Sequence, residues 1–204
     1  RAFLLLNNSN KVQVVNRYNF KKTGEITAQL DNPRYMTISN GNLYVSNDKY
    51  NGGKYVNVYK LSDLSFVKKI PFASTSTAER VVEAGGTVFV QNATYSYGST
   101  LTRINTSTNE IINTVAVPNG EIEKTISYNN NVYVIASGAS NSYIYEISPA
   151  GTITKTTTLT GIANARNLEI DGGKYYFTSA NKIYTMDMNA TTAPSAPLIN
   201  FVDG

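Results

Sequence analysis

The sequence predicts an all-β protein built from one repeated unit of four short strands. In each repeat, an apolar strand such as residues 88–92 leads through a polar loop to a strand of alternating character such as residues 101–105. The second of these strands starts at residues 12, 56, 101, 144 and 183, so the steps are 44, 45, 43 and 39 residues. A period near this length that carries only strand signals is typical of a β-propeller.

Turn signals support the same architecture. Residue pairs that tolerate a positive φ angle precede the apolar strand of the later repeats. These pairs are Asn40-Gly41, Gly85-Gly86, Asn129-Asn130 and Gly172-Gly173. No helical period extends over about ten residues, and the prolines fall between strands or at their edges. We therefore expect hairpin-connected sheets and no helix longer than about two turns.

The repeats divide one continuous domain, residues 1–204, into five units. Their limits are about 1–32, 33–77, 78–120, 121–163 and 164–204. The four later repeats carry all four strand signals, whereas the first opens directly on its apolar strand. Because a propeller blade has four strands, we expect the first unit to lack its innermost strand and the chain to be part of a propeller with more blades.

The composition argues against the usual catalytic centres. The 204 residues include 15 Tyr and 7 Phe but no His, Cys or Trp. Without His and Cys the chain cannot build a Ser-His-Asp triad, a thiol nucleophile, a zinc site of the usual type or a disulfide. The glycine pairs belong to hairpins and do not form a phosphate-binding loop. We therefore expect a protein that is not an enzyme and that uses no cofactor or metal.

Charge and hydropathy bear on two further classes of partner. The net charge is +4, from 18 Lys and Arg against 14 Asp and Glu. The basic residues are spread along the chain, which predicts no nucleic-acid partner. The apolar run at residues 2–6 is far shorter than the roughly 18 residues of a membrane-spanning helix. We expect no membrane-spanning segment in this chain.

Several motifs resemble a known group of propellers. The strand endings at residues 44–47 (Tyr-Val-Ser-Asn) and 89–92 (Phe-Val-Gln-Asn) resemble the Tyr-Val-Thr-Asn propeller repeat. The segments 7–15 and 43–47, with the Asn-Pro-Arg-Tyr junction at 32–35 between them, are similar to the YncE-like surface lipoproteins of Bacteroidetes. The resemblance implies a seven-bladed propeller at the cell surface, held on the outer membrane by a lipidated Cys that this sequence does not contain.

The same resemblance implies a ligand and a partner. A member of that family captures cobalamin for a TonB-dependent outer-membrane transporter. Our first hypothesis is therefore a surface-exposed binding propeller that captures a small polar ligand, with a corrinoid as the first candidate. The second is a structural or interaction subunit of a cell-surface complex, without a small ligand. An enzymatic role ranks third, because the chain has no His.

The candidate ligand site lies on one face of the predicted propeller. The crossovers between blades and the loops between the second and third strands of each blade open on this face. Crossover residues Arg34, Tyr35, Arg80 and Arg166 and loop residues Tyr50, Tyr95 and Tyr97 form the candidate set. Aromatic rings and guanidinium groups on one face are suited to a large polar ligand.

Other interpretations of polar residues on this face remain open. Arg34 and Arg80 could each pair with a carboxylate or a buried carbonyl and so hold neighbouring blades together. Glu121 and Glu123 could form a catalytic acid pair, although a solvated crossover loop is the more common arrangement. The strand-end residues Asn7, Asn47 and Asn92 are predicted to stabilise turns through side-chain-to-backbone hydrogen bonds.

Overall fold

The computed structural model describes residues 1–73, 76–93 and 97–201, which form five antiparallel sheets. This confirms the prediction of an all-β propeller. The only helix in the described ranges is one 3-10 turn, Asn7–Ser9. None of the described helical structure has the length and apolarity that crossing a membrane requires.

Strands follow one another across each sheet in chain order, so every connection within a sheet is a hairpin. The first sheet has three described strands, β1 (Ala2–Leu6), β2 (Lys11–Val15) and β3 (Lys22–Ile26). The second contains β4 (Pro33–Ser39), β5 (Asn42–Asp48), β6 (Lys54–Lys60) and β7 (Phe66–Pro71). The third contains β8 (Val81–Ala84), β9 (Thr87–Gln91), β10 (Thr100–Asn105) and β11 (Glu110–Ala116). The fourth contains β12 (Glu121–Tyr128), β13 (Asn131–Ser137), β14 (Ser142–Ile147) and β15 (Ile153–Leu159). The fifth contains β16 (Arg166–Asp171), β17 (Lys174–Ser179), β18 (Lys182–Asp187) and β19 (Ile199–Asn200).

The first strands of successive sheets lie side by side. In the four-stranded sheets, β4 contacts β8, β8 contacts β12, and β12 contacts β16. These strands therefore line the inner side of the assembly, and each sheet extends outward from them as a blade. Crossovers between blades reach the inner strands at one end, which we call the crossover face.

Packing between blades explains the apolar strands of the repeat. Side chains of a strand alternate between its two faces, and both faces of β5 are covered. Leu43 and Val45 pack against the first sheet, while Tyr44 packs against the third. In the same way, Val88 of β9 faces the second sheet and Phe89 faces the fourth. The core is thus a series of layers between sheets.

The Ser46-Asn47 pair at the end of β5 ties three blades together. The Ser46 hydroxyl donates to the carbonyl of Glu79, at the entry to the third sheet, over 2.6 Å. The Asn47 side-chain oxygen accepts the Asp31 N–H, on the crossover from the first sheet, at 3.0 Å. Ser46 therefore bonds to the next blade and Asn47 to the crossover from the preceding one. The Asn47 bond joins side chain to backbone, as predicted, but it connects two blades and does not stabilise a local turn.

The third sheet repeats this arrangement with Gln91 and Asn92. The Gln91 side-chain oxygen accepts the hydroxyl proton of Thr125, in the inner strand of the fourth sheet, at 2.9 Å. The Asn92 amide donates to the carbonyl of Thr77, on the preceding crossover, at 2.7 Å. The recurrent strand-end motif is therefore a connection between blades.

Tyrosine serves as a spacer between sheets. Its ring fills the apolar layer and its hydroxyl satisfies a polar group at the edge of that layer. Tyr59 donates to the Ala28 carbonyl at 2.6 Å, and Tyr145 donates to the Asn119 carbonyl at 2.9 Å. Both rings are fully buried. This use accounts for part of the high Tyr content of the chain.

Replacing a residue that fills one of these layers should be costly. Phe89 is completely buried between the third and fourth sheets. We expect Phe89→Ala to lower the free energy of unfolding by about 3–5 kcal/mol, because the cavity cannot be filled by its neighbours. Urea denaturation measures this change. Phe20→Ala, at a ring that is 74% exposed, is the matched control, and equal effects of the two substitutions would contradict the layered core.

The buried tyrosines should make the fold sensitive to alkali. Burial raises the pKa of Tyr133 to about 12 and also raises the pKa of Tyr59 and Tyr175. Tyrosines of the unfolded chain ionise near pH 10. Their contribution to stability is therefore complete below about pH 10 and is lost as the pH rises through about 12. Urea denaturation at several pH values should show this decline, and undiminished stability at about pH 12 would contradict it.

Candidate functional site

The inner strands are irregular where they start on the crossover face. The pairing register shifts between Pro33 and Met36 in β4, between Ile122 and Lys124 in β12, and between Arg166 and Glu169 in β16. A β-bulge changes the direction in which local side chains point. Arg34 and Arg166 of the predicted site lie in these irregular segments.

Arg34 forms a two-pronged ion pair with Glu79. Its Nε and one terminal nitrogen donate to the two carboxylate oxygens at 3.0 and 2.8 Å. Glu79 is only 8% exposed. Because Arg34 opens the second sheet and Glu79 precedes the third, the pair joins two neighbouring blades. Arg34 therefore pairs with a carboxylate of the neighbouring blade, which is one of the two roles that the sequence left open for it.

Arg80 joins the same two blades through an aromatic ring. Its guanidinium carbon lies 4.5 Å from the centre of the Tyr35 ring, a cation–π geometry. No carboxylate lies within ion-pair distance of Arg80 in the part of the chain that the structure describes. The Arg80 guanidinium therefore has hydrogen-bonding capacity toward the space above the inner strands.

The fourth and fifth sheets are joined by a second set of charges. Glu123 lies 3.6 Å from Arg166 and accepts the hydroxyl proton of Ser137 at 2.8 Å. Lys124 forms an ion pair with Glu169 of β16. Glu121 accepts the N–H of Gly98 at 2.5 Å. The two glutamates are therefore held by separate structural partners, and the expectation of a solvated crossover loop is wrong for Glu123, whose side chain is 10% exposed.

A cleft of about 430 Å³ lies among these side chains, and we call it the central cleft. Its lining comprises Arg34, Tyr35, Glu79, Arg80, Gln91, Ala93, Ile122, Glu123, Arg166 and Asn167. Three guanidinium groups and two carboxylates leave the cleft weakly positive. A cleft of about 360 Å³ adjoins it at Arg34 and Glu79, and one of about 640 Å³ adjoins it at Arg166 and Asn167. The crossover face thus carries one connected row of clefts.

Four of the seven predicted site residues come together in this row. Arg34, Tyr35, Arg80 and Arg166 all line the central cleft. Tyr50 lines the adjoining cleft and is 88% exposed. Tyr97 is 78% exposed and lies on a loop of the same face, outside the lining of the central cleft. Tyr95 lies outside the described residues.

Sequence reasoning missed how the charges are matched. One crossover position of the repeat carries a charge in each of the four later blades. Its residues are Arg34, Glu79, Glu123 and Arg166, so the charges along the chain are positive, negative, negative and positive. Opposite charges on neighbouring blades could have indicated the ion pairs. A further ion pair, Asp48 with Lys54, is nearly buried in the adjoining cleft, and Asp48 also accepts the N–H of Ala78.

The described residues contain no group of three or more acidic side chains arranged to hold a metal ion. What the crossover face offers instead is hydrogen bonding from guanidinium and amide groups beside exposed aromatic rings. Such a set can hold a polar ligand or a protein surface by many weak directed contacts.

Comparisons with known proteins identify the fold. No family model matches the chain, and a search of curated proteins finds no match. Hydrazine synthase of Kuenenia stuttgartiensis matches at 20% identity with a TM-score of 0.67, over 87% of this chain and 51% of that one. BamB of Moraxella catarrhalis matches at 13% identity with a TM-score of 0.58, over 87% of this chain and 52% of that one. The Dos1 propeller matches at 14% identity with a TM-score of 0.68, over 96% of this chain and 54% of that one. The chain thus spans about half the length of these β-propellers, and the likeness concerns the fold.

The ion pair between Arg34 and Glu79 should stabilise the contact between the second and third blades. We expect Glu79→Gln to lower the free energy of unfolding by about 1.5–3 kcal/mol, because it removes charged hydrogen bonds from a nearly buried position. A double-mutant cycle with Arg34→Gln measures the coupling of the two residues. Glu25→Gln, in the exposed pair with Lys22, is the control. A coupling energy near zero would contradict the proposed connection.

Proposed function

We propose that the chain is a non-catalytic binding module that takes a large polar ligand on its crossover face. The observation that carries this proposal is the convergence of Arg34, Arg80 and Arg166 on one connected row of clefts, with exposed Tyr50 and Tyr97 on the same face. Loops that meet on a rigid scaffold are where binding residues concentrate. The propeller fold is consistent with such a role.

The different contacts of the three arginines support a specific binding surface. Arg34 and Arg166 are held by carboxylates of neighbouring blades, so they fix the shape of the cleft. Arg80 is held by stacking on Tyr35, which leaves its N–H groups available for hydrogen bonds. A preorganised surface of this kind binds with a smaller loss of side-chain entropy.

We propose a corrinoid as the first candidate ligand. A corrinoid is a flat macrocycle edged with amide groups, which suit stacking on tyrosine rings and hydrogen bonds with guanidinium and amide side chains. The central cleft is too small to enclose such a molecule, so the macrocycle would lie across the row of clefts. The corrinoid identity depends on the resemblance of residues 3–47 to YncE-like lipoproteins. The surface location and the TonB-dependent transporter as partner depend on the same resemblance.

A second candidate is docking of a protein on the same face. The clefts are open, and most of their charges are held in ion pairs, as in many protein interfaces. Exposed tyrosines such as Tyr50 and Tyr97 are also typical anchors of an interface. In that case the module would be a subunit of a cell-surface complex and would bind no small ligand.

Calorimetric titration of the protein with cyanocobalamin tests the first candidate. We expect binding by the wild-type protein and an affinity about ten to one hundred times lower for Tyr50→Ala/Tyr97→Ala, because both rings lose contact area with the macrocycle. Tyr18→Ala is the matched control, since Tyr18 is 77% exposed but lies at the opposite end of its blade.

The outcomes separate the two candidates. Absence of binding by the wild-type protein would remove the corrinoid and favour docking of a protein partner. Equal affinities of the wild-type and doubly substituted proteins would retain the ligand but place its site away from Tyr50 and Tyr97. Loss of binding in Tyr18→Ala would contradict the assignment to the crossover face.

A further inference from the structure

A cleft of about 320 Å³ lies between the fourth and fifth blades, at the end opposite the crossover face. The residues that line it include Tyr128, Tyr133, Glu146, Lys155 and Met188. We call it the tyrosine–glutamate cleft. Both sheets that enclose it belong to the described chain, so its walls are set by residues of this chain.

In the preceding junction, between the third and fourth blades, the equivalent position holds a guanidinium group of the chain itself. Arg103 pairs with Phe89 across the strands, and its guanidinium carbon lies 5.8 Å from the centre of the Phe89 ring. Arg103 also donates to the Pro149 carbonyl, on the next blade, at 2.7 Å. It is only 7% exposed. A cation thus fills this junction by stacking on an aromatic ring and bonding the turn of the next blade.

The tyrosine–glutamate cleft retains the aromatic ring of this arrangement but has a carboxylate in place of the guanidinium. The strand pairing aligns Tyr133 with Phe89 and Glu146 with Arg103. Glu146 is partly buried and accepts the Asn131 amide at 2.7 Å. Within the described part of the chain, no Lys or Arg lies within ion-pair distance of Glu146. The cleft therefore contains a partly buried negative charge without an ion-pair partner.

The lysine of the cleft is bound to the turn of the fifth blade. Lys155 lies opposite Glu146 across β14 and β15, but its ammonium group donates to the Met188 carbonyl. Met188 lies in the turn after β18, as Pro149 lies in the turn after β14. The lysine thus takes over the contact that Arg103 makes in the preceding junction. Glu146 is not needed for this connection between blades.

Two tyrosine rings stand beside the carboxylate. The rings of Tyr128 and Tyr133 meet edge to face, with centres 6.3 Å apart and planes at 67°. Burial and the charge of Glu146 raise the pKa of Tyr133 to about 12, so the carboxylate lies close to the Tyr133 phenol. Aromatic rings attract cations through their faces, and a carboxylate adds a charge-assisted hydrogen bond. The two features together select for a positively charged group.

We propose that the tyrosine–glutamate cleft binds a small organic cation that carries a guanidinium or alkylammonium group. The group stacks against the tyrosine rings and donates to the Glu146 carboxylate, as Arg103 stacks on Phe89 in the preceding junction. A volume of about 320 Å³ is at the small end of ligand sites and suits a group of the size of an arginine side chain. The cleft is separate from the crossover face, so the proposal does not depend on the ligand of that face.

Titration of the intact protein, followed by two-dimensional NMR, tests the proposal. The probes are butylguanidinium and its neutral analogue butylurea, which have nearly the same shape, at matched ionic strength. We expect butylguanidinium to shift the amide signals of residues 128–133 and 144–147, and butylurea to leave them in place. Glu146→Gln should lower the affinity for butylguanidinium about tenfold, because a charge-assisted hydrogen bond is lost. Glu110→Gln makes the same change in charge at a side chain that is 67% exposed on the third blade, and it should leave the affinity unchanged.

A second variant tests the sign of the ligand's charge. Lys155→Gln keeps a donor for the Met188 carbonyl and removes a positive charge beside Glu146. Binding of butylguanidinium should therefore become about two to five times tighter. Thermal denaturation of both cleft variants checks the fold, which Glu146→Gln should preserve because glutamine still accepts the Asn131 amide.

Three results would overturn the proposal. The first is equal binding of butylguanidinium and butylurea, or no binding of either. The second is an affinity of folded Glu146→Gln that equals that of the wild type, or an equal loss in Glu110→Gln. The third is weaker binding by folded Lys155→Gln, which would assign the cleft to an anion.

Discussion

The structure depends on one constraint, which is that the second, third and fourth sheets are apolar on both faces and each face is covered by a neighbouring sheet. Strand β5 shows this most clearly, because Leu43 and Val45 face one neighbouring sheet and Tyr44 faces the other. A two-layer sandwich would leave one of these faces in water, at a loss of about 25 cal/mol for each Å² of apolar surface. Successive blades around an axis satisfy the constraint, and each blade is stabilised by its neighbours.

The same constraint determines how much of the fold the sequence reveals. The strand period and the Asn-Gly type of turn are local signals, and both predicted the elements that the structure contains. The connections between blades are not local. Gln91 and Thr125 are 34 residues apart, and their hydrogen bond exists because neighbouring sheets place the end of β9 beside β12. Such a pair can be found from the sequence only when the register of both strands is known.

The membership of the candidate site could be predicted from local sequence signals, whereas the contacts among its residues could not. Crossover residues of a propeller share one face, so Arg34, Tyr35, Arg80 and Arg166 could be grouped before their contacts were known. Their roles could not be assigned, because an ion pair such as Arg34 with Glu79 depends on the irregularity of β4, which changes the direction of the Arg34 side chain. The structure distinguishes Arg34 and Arg166, which form ion pairs between blades, from Arg80, which stacks on Tyr35.

Large side chains of the blades can be explained by the layers between sheets or by the local turn that holds them. Tyr44, Tyr59 and Tyr145 fill layers between sheets, and their hydroxyls complete the hydrogen bonding of neighbouring loops. Leu64 shows the opposite balance, because a left-handed backbone disfavours it in its turn while its side chain packs against the first sheet. Packing between neighbouring sheets can therefore outweigh the residue preference of a turn.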